Sequence, residues 1–276
     1  MQSHFRFANF VLLSLTLSTA HAAALTPSDY PPALTFTKRP IDPLCFANLE
    51  NNSDKIHLKN CGIEKTKYTI TEKYKKLNQD KFYGFNWKDT SVDYPSGGAS
   101  YYKAWDAGHN QYWIYTLNNT GGSGDFSAIN LYARQSEDSA TLQHIDGGDR
   151  CNGGIEDVTN KNHHLRYGVN LTAYDLFALA NKNPHNLKAY DDLSACAVCC
   201  AAKAYYDIDV QAKLKLLYVD LGKNTNTAEM PMQGTHQACF NNLLAAYVVK
   251  GKNKLDHVQL AQFVDEFNKK CDGDNR

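Results

Sequence analysis

Eight cysteines, at positions 45, 61, 151, 196, 199, 200, 239 and 271, constrain this chain more than any other feature. Whether they cross-link a fold or perform chemistry depends on the redox compartment, and the N-terminus bears on that. Residues 1–7 carry Arg6 as their only full charge, the apolar stretch VLLSLTLSTA follows, and Ala20-His21-Ala22 puts small residues at the −3 and −1 positions of a cleavage site. This is the anatomy of a secretory signal peptide over residues 1–22. Its apolar run is too short to span a bilayer. The expectation is a secreted or periplasmic protein with no membrane insertion, in which an even number of cysteines reads as a disulfide framework.

Spacing narrows the pairings. Cys45 and Cys61 flank the polar, turn-rich NLENNSDK, and a local disulfide between them is worth roughly 3 kcal/mol of loop-closure entropy. Cys196, Cys199 and Cys200 form C-x-x-C-C in an Ala-rich stretch that predicts a helix over 188–206. A redox C-x-x-C needs a preceding strand and a helix N-terminus to lower the thiol pKa, whereas LKAYDD is acidic and helical in character. A zinc site needs two more ligands at finger spacing, and none is present. The segment therefore reads as a disulfide hub, with Cys151 bonded to Cys196, Cys199 or Cys200. Cys239 and Cys271 fall on two C-terminal helices, roughly 16 Å and 22 Å from the turn between them by helical rise. They pair if the hairpin absorbs a mismatch of about one turn; otherwise both bond to the C-x-x-C-C segment.

The chain is electrically balanced, with 29 Lys and Arg against 29 Asp and Glu. No global field steers it onto nucleic acid or anionic lipid, and the lysines between Lys55 and Lys81 are interspersed with acids. Residues 23–66 read as an extended, Pro-punctuated lead-in with one local disulfide loop. From 67 to 154 the pattern is β. Tyr68, Ile70 and Tyr74 alternate with polar residues, as do Tyr83, Phe85 and Trp87. YWIYTL, apolar on both faces, suits a central strand partnered by 128–134 across the Gly-rich turn NNTGGSGD. Past Gly154 the reading is mainly helical, after a short strand-like HLRYGVN. Thr172-Ala-Tyr-Asp175 is a capping box, AKLKLLYVDLG alternates like a strand, and two amphipathic helices close the chain. The fold class is thus α+β: an N-terminal antiparallel β-sheet or sandwich and a C-terminal helical part, sharing one core and cross-linked by disulfides.

The chemistry-bearing residues concentrate around GGDRCNGG, residues 147–154. His144, Asp149 and His163 are the candidate catalytic groups of a hydrolase with a His/carboxylate site near 144–164. Asp146, Asp149 and Glu156 are weak calcium candidates, since the EF-hand order of ligands is absent; no other cofactor is implied. Arg150 and Asn152 could bind an anion in a Gly-rich nest. YYKAW supplies Tyr101, Tyr102 and Trp105 as aromatic binding candidates at a loop–strand edge, stacking on sugar or anchoring a protein. Cys151 as a nucleophile requires an unpaired thiol, and the even count leaves none. No G-x-S-x-G, H-E-x-x-H or P-loop is present. The leading expectation is an exported binding protein, such as a bacterial secreted effector, that recognises a glycan or a protein. The competing expectation is the hydrolase.

Overall fold

The computed structural model describes residues 26, 28–47, 55–62, 68–71, 80–89, 97–180, 192–222 and 234–271. The expected signal peptide, the part of the first predicted strand beyond 71 and the start of the predicted 188–206 helix lie outside these residues.

Two antiparallel sheets dominate. The larger runs β3 (Lys55–His57), β9 (Ser139–Asp149), β8 (Phe126–Arg134), β7 (Gln111–Asn119), β6 (Gly97–Gly108), β5 (Tyr83–Asp89) and β4 (Tyr68–Ile70) from edge to edge. The central strand expected at 112–117 is β7, paired with β8 from Gln111↔Ala133 to Asn118↔Phe126. The smaller sheet runs β10 (Ile155–Lys161), β11 (His164–Leu171), β12 (Ala202–Ile208), β13 (Leu214–Asp220) and β14 (Lys254–Leu255). A two-stranded ribbon, β1 (Thr35–Phe36) with β2 (Arg39–Pro40), and a short helix α1 (Leu44–Ala47) belong to the lead-in. Helices α2 (Ala173–Ala180), α3 (Thr235–Val249) and α4 (His257–Cys271) follow among the described residues.

Among its described residues the C-terminal part is therefore not mainly helical: they form a five-stranded sheet with three helices. The helix predicted over 188–206 is replaced by irregular chain from 192 to 201 followed by strand β12. Ala-rich composition favours helix only weakly. Here the alternation of Ala202, Ala204, Tyr206 and Ile208 wins, because those residues face Leu171, Val169, Tyr167 and Leu165 of β11 in register. The capping box does form, with the Asp175 N–H donating to Thr172 Oγ1 and the Thr172 N–H donating to Asp175 Oδ2.

Each face of the large sheet is covered. Tyr102, Ala104, Ile114, Tyr132 and Leu142 pack beneath the lead-in's Leu34, Ile41, Cys45 and Phe46. Tyr102 and Tyr132 donate their hydroxyls to the carbonyls of Ile41 and Ala33, which stitches the Pro-rich lead-in onto the sheet. The opposite face, with Tyr101, Trp105, Trp113, Tyr115 and Ile129, shares one core with the apolar face of the small sheet and with Phe177, Phe240, Phe263 and Phe267 of the helices.

Four disulfides pair all eight cysteines: Cys45–Cys61, Cys151–Cys200, Cys196–Cys199 and Cys239–Cys271. Loop-closure entropy grows with the logarithm of loop length. The Cys151–Cys200 bridge, 49 residues apart, accounts for about 4 kcal/mol on that scale, and Cys196–Cys199, 3 apart, for about 2. Four disulfides suit an oxidising environment. Among the described residues no helix is long and apolar enough to cross a membrane.

Candidate functional site

GGDRCNGG turns out to be the end of β9 and a two-residue turn. The Asp149 N–H donates to the Asn152 carbonyl at 2.9 Å and the Asn152 N–H returns the bond at 2.8 Å. Arg150 sits at the turn with φ 47°, outside the usual range for a side-chain-bearing residue. The flanking glycines are required by close backbone approach. A Cβ on Gly148 would stand 2.0 Å from the Asn152 carbonyl oxygen, and one on Gly154 would stand 2.2 Å from that of Arg150. Cys151 anchors the turn twice, through its disulfide to Cys200 and through its N–H, which donates to Ala197 O.

The turn holds the loop between β7 and β8 in place. Asp149 Oδ1 accepts the Asp125 N–H at 2.9 Å, and the Arg150 N–H donates to the Asp125 carbonyl. Arg150 also grips both Asp149 oxygens through Nε and Nη2, at 2.9 and 3.0 Å. That pairing holds the Asp149 carboxyl below its ordinary value. Within the loop, Asn119 Nδ2 donates to Asp125 Oδ1 and Asn119 Oδ1 accepts the Gly121 N–H. The glycines and Asn/Asp residues of NNTGGSGD thus build a fixed wall.

Behind that wall, at the junction of the two sheets, lies an open hollow of about 400 Å³. Its floor is Tyr101 and Tyr115, whose hydroxyls donate inward to Asn86 Oδ1 and to the Ile155 carbonyl. Its rim carries Phe126, 46% exposed, with Arg150, Asp125 and Glu156. Asn118 and Asn170 line it as well, and Asn118 Oδ1 is buried with no hydrogen-bond partner among the described residues. A second, more open hollow of about 480 Å³ adjoins it, sharing Ala99, Tyr101, Asn119 and Asp125 and adding Asn86, Trp87 and Lys88. Gly98, opposite Trp87 in the ladder, has no Cβ because the indole occupies that space.

Glu156 links the hollow to the outer face of the small sheet. Burial pushes its carboxyl up, but Lys203 Nζ at 2.7 Å and Asn170 Nδ2 at 2.9 Å outweigh this and hold it below the ordinary value. Lys203 bonds Asp157 too, and the two acids push its pKa up to about 12 against the desolvation that lowers it. Tyr205 donates to Asp157 and stacks on Tyr218 with ring centroids 4.8 Å apart.

The other expected site residues are dispersed. His144 Nδ1 pairs with Asn130 Oδ1, Asp149 is held by Arg150, and His163 Nδ1 contacts the Asp106 carbonyl at the far end of the β10–β11 hairpin. None of the three lines either hollow. The calcium candidates separate likewise: Asp146 accepts from Tyr167, Asp149 from Arg150, and Glu156 from Lys203. Among the described residues no three His, Cys, Asp or Glu side chains gather as a metal site. Arg150 lines the hollow, whereas Asn152 only closes the turn. YYKAW is not a loop–strand edge. It lies inside β6, paired along its length with β7 and at Tyr101 and Tyr102 also with β5; Tyr101, Tyr102 and Trp105 are 1%, 0% and 5% exposed, and of these only Tyr101 touches the hollow. The sequence marks NNTGGSGD as a hairpin turn, with Asn118, Asn119 and Asp125 inside it and Phe126 next to it, but gives none of the four a binding role.

No family model, curated protein or solved structure matches this chain. The site speaks through its own chemistry.

Proposed function

We propose that the protein is an exported binding protein that holds a glycan in the hollow at the junction of its two sheets. The observation that carries this reading is the accessible Phe126 ring standing over a hollow lined by the amides of Asn118 and Asn170 and the carboxylates of Asp125 and Glu156. A sugar presents an apolar face of C–H groups and an equatorial girdle of hydroxyls. The first packs on an aromatic ring and the second satisfies amides and carboxylates. Asn118, Asn170, Asp125 and Glu156 supply such partners around Phe126. The adjoining hollow behind Asn119 and Asp125 extends the surface, so the ligand is an oligosaccharide rather than a single ring.

The walls are preorganised. The Asp149–Arg150 turn, the Cys151–Cys200 disulfide and the Asn119-centred loop fix the polar groups before any ligand arrives, which reduces the entropy lost on binding. Export from the cell fits the same reading, because such glycans lie outside it.

Isothermal titration against cello-, chito-, xylo- and manno-oligosaccharides tests the proposal. The expected result is saturable binding of one series, weakened about five- to tenfold by Phe126→Ala, a loss of ~1–1.4 kcal/mol. Absence of binding across the panel, or binding indifferent to Phe126→Ala, overturns it.

A further inference from the structure

The C-x-x-C-C segment carries two disulfides that differ in what surrounds them. Cys151–Cys200 is pinned from both sides. Cys151 sits in the tight turn with its N–H on Ala197 O, and Ala201, next to Cys200, donates to Leu171 O of β11. Cys196–Cys199 closes a ring of only four residues in irregular chain, held by the Cys199 N–H on the Cys196 carbonyl and by the Cys151 N–H on Ala197 O. The entropy a cross-link removes from the unfolded chain rises with loop length, so this bridge contributes least to the fold of the four. Both bridges join an exposed cysteine, Cys196 or Cys200, to one only 7% exposed, Cys199 or Cys151, so the four-residue ring and its neighbour Val198, 73% exposed, are what set Cys196–Cys199 apart. The strand and helix that the sequence lacked before this motif are not needed for attack on the disulfide itself, where access to one sulfur decides which bond is formed.

We propose that Cys196–Cys199 is a thiol–disulfide exchange site that accepts electrons from dithiols, with Cys196 as the sulfur attacked. A reductant thiolate forms a bond to Cys196 Sγ. The Cys196–Cys199 bond breaks, and Cys199 leaves with the electron pair as a thiolate that takes a proton from water. The second thiol of the reductant, deprotonated, then attacks its own sulfur in the mixed disulfide. This closes the oxidised dithiol and releases Cys196, which is protonated in turn. The protein disulfide gains two electrons and two protons, and the dithiol loses them. Val198 gives an approaching dithiol an apolar contact beside the reactive sulfur, and buried Cys199 makes the direction of attack one-sided. When the pair opens, the turn that carries Arg150 keeps its Cys151–Cys200 bridge, and its link to the opened ring is the Cys151 N–H bond to Ala197 O.

Graded dithiothreitol added to the folded protein, followed by iodoacetamide and peptide mass mapping, tests this. Cys196 and Cys199 should become alkylated at a concentration at least tenfold lower than any other cysteine. With oxidised glutathione added to the partly reduced protein, the adduct should reside on Cys196. Opening of Cys45–Cys61, Cys151–Cys200 or Cys239–Cys271 at the same or lower concentration overturns the proposal, as does an adduct on Cys199. The Cys196→Ser/Cys199→Ser double variant should keep its other three disulfides and lose the low-concentration alkylation altogether. Persistence of that alkylation in the double variant also refutes the site.

Discussion

At the scale of single residues, backbone approach and burial decide most of what the sequence left open. The glycines of GGDRCNGG were legible as turn residues. What they permit was not, because it depends on where Arg150 and Asn152 place their carbonyls. Gly154→Ala would drive a methyl into the Arg150 carbonyl, and neither backbone can yield without breaking the turn. The expected cost is about 2–4 kcal/mol in denaturant unfolding, with ligand affinity falling alongside. Asp146 makes the converse case. Burial pushes its carboxyl above the ordinary value, despite bonds from the Gly147 N–H and the Tyr167 hydroxyl. A raised folded-state pKa means stability that is full below the ordinary Asp value and is lost as pH rises through the folded one. Asp146→Asn should therefore raise the Tm at pH 7, with the gain shrinking to nothing as the pH falls below 4. A pH series of melts reads this directly, and an equal shift at all pH values would refute it. The aromatic candidates failed for a plain reason: alternation reveals that Tyr101, Tyr102 and Trp105 sit on a strand, but not that both faces of that strand are covered.

At the scale of elements, strands with strong two-residue periodicity were legible, and so were the capping box and the two closing helices. The segment around C-x-x-C-C was not. Its alanines suggest helix, yet the chain there is spent on two disulfides and on capping another element. Asp192 reaches the start of α3, accepting the His236 N–H at 2.9 Å and pairing with His236 Nδ1 at 2.8 Å. Gly234, at the helix cap, has no side chain to do this. Ser194 adds its N–H to Gln237 Oε1 at 2.8 Å. Asp192→Ala should cost about 1 kcal/mol and speed amide exchange in the first turn of α3 while leaving α4 unchanged. Uniform exchange across both helices would contradict that role. A cap supplied from 44 residues away has no local sequence signature.

At the scale of the whole molecule, the α+β, disulfide-linked architecture follows from patterning and cysteine count, but the second sheet does not. Its strands are separated by α2 and by intervening chain, and only register across them reveals a shared apolar face. The hollow exists because of that sheet: one wall is β6 to β8, and the other is the start of β10 with Asn170 of β11. A chain read half by half does not show a site made where the halves meet. That explains why the candidate residues clustered in sequence near 144–164, while the groups that meet in space come from 99 to 170. The measurement that bears most directly on the account is backbone chemical-shift mapping of the native protein during titration with the oligosaccharide series above. Saturable shifts at Asn118, Asn119, Asp125, Phe126, Glu156 and Asn170 are the predicted result. Shifts confined to another surface, or none at millimolar sugar, would contradict it.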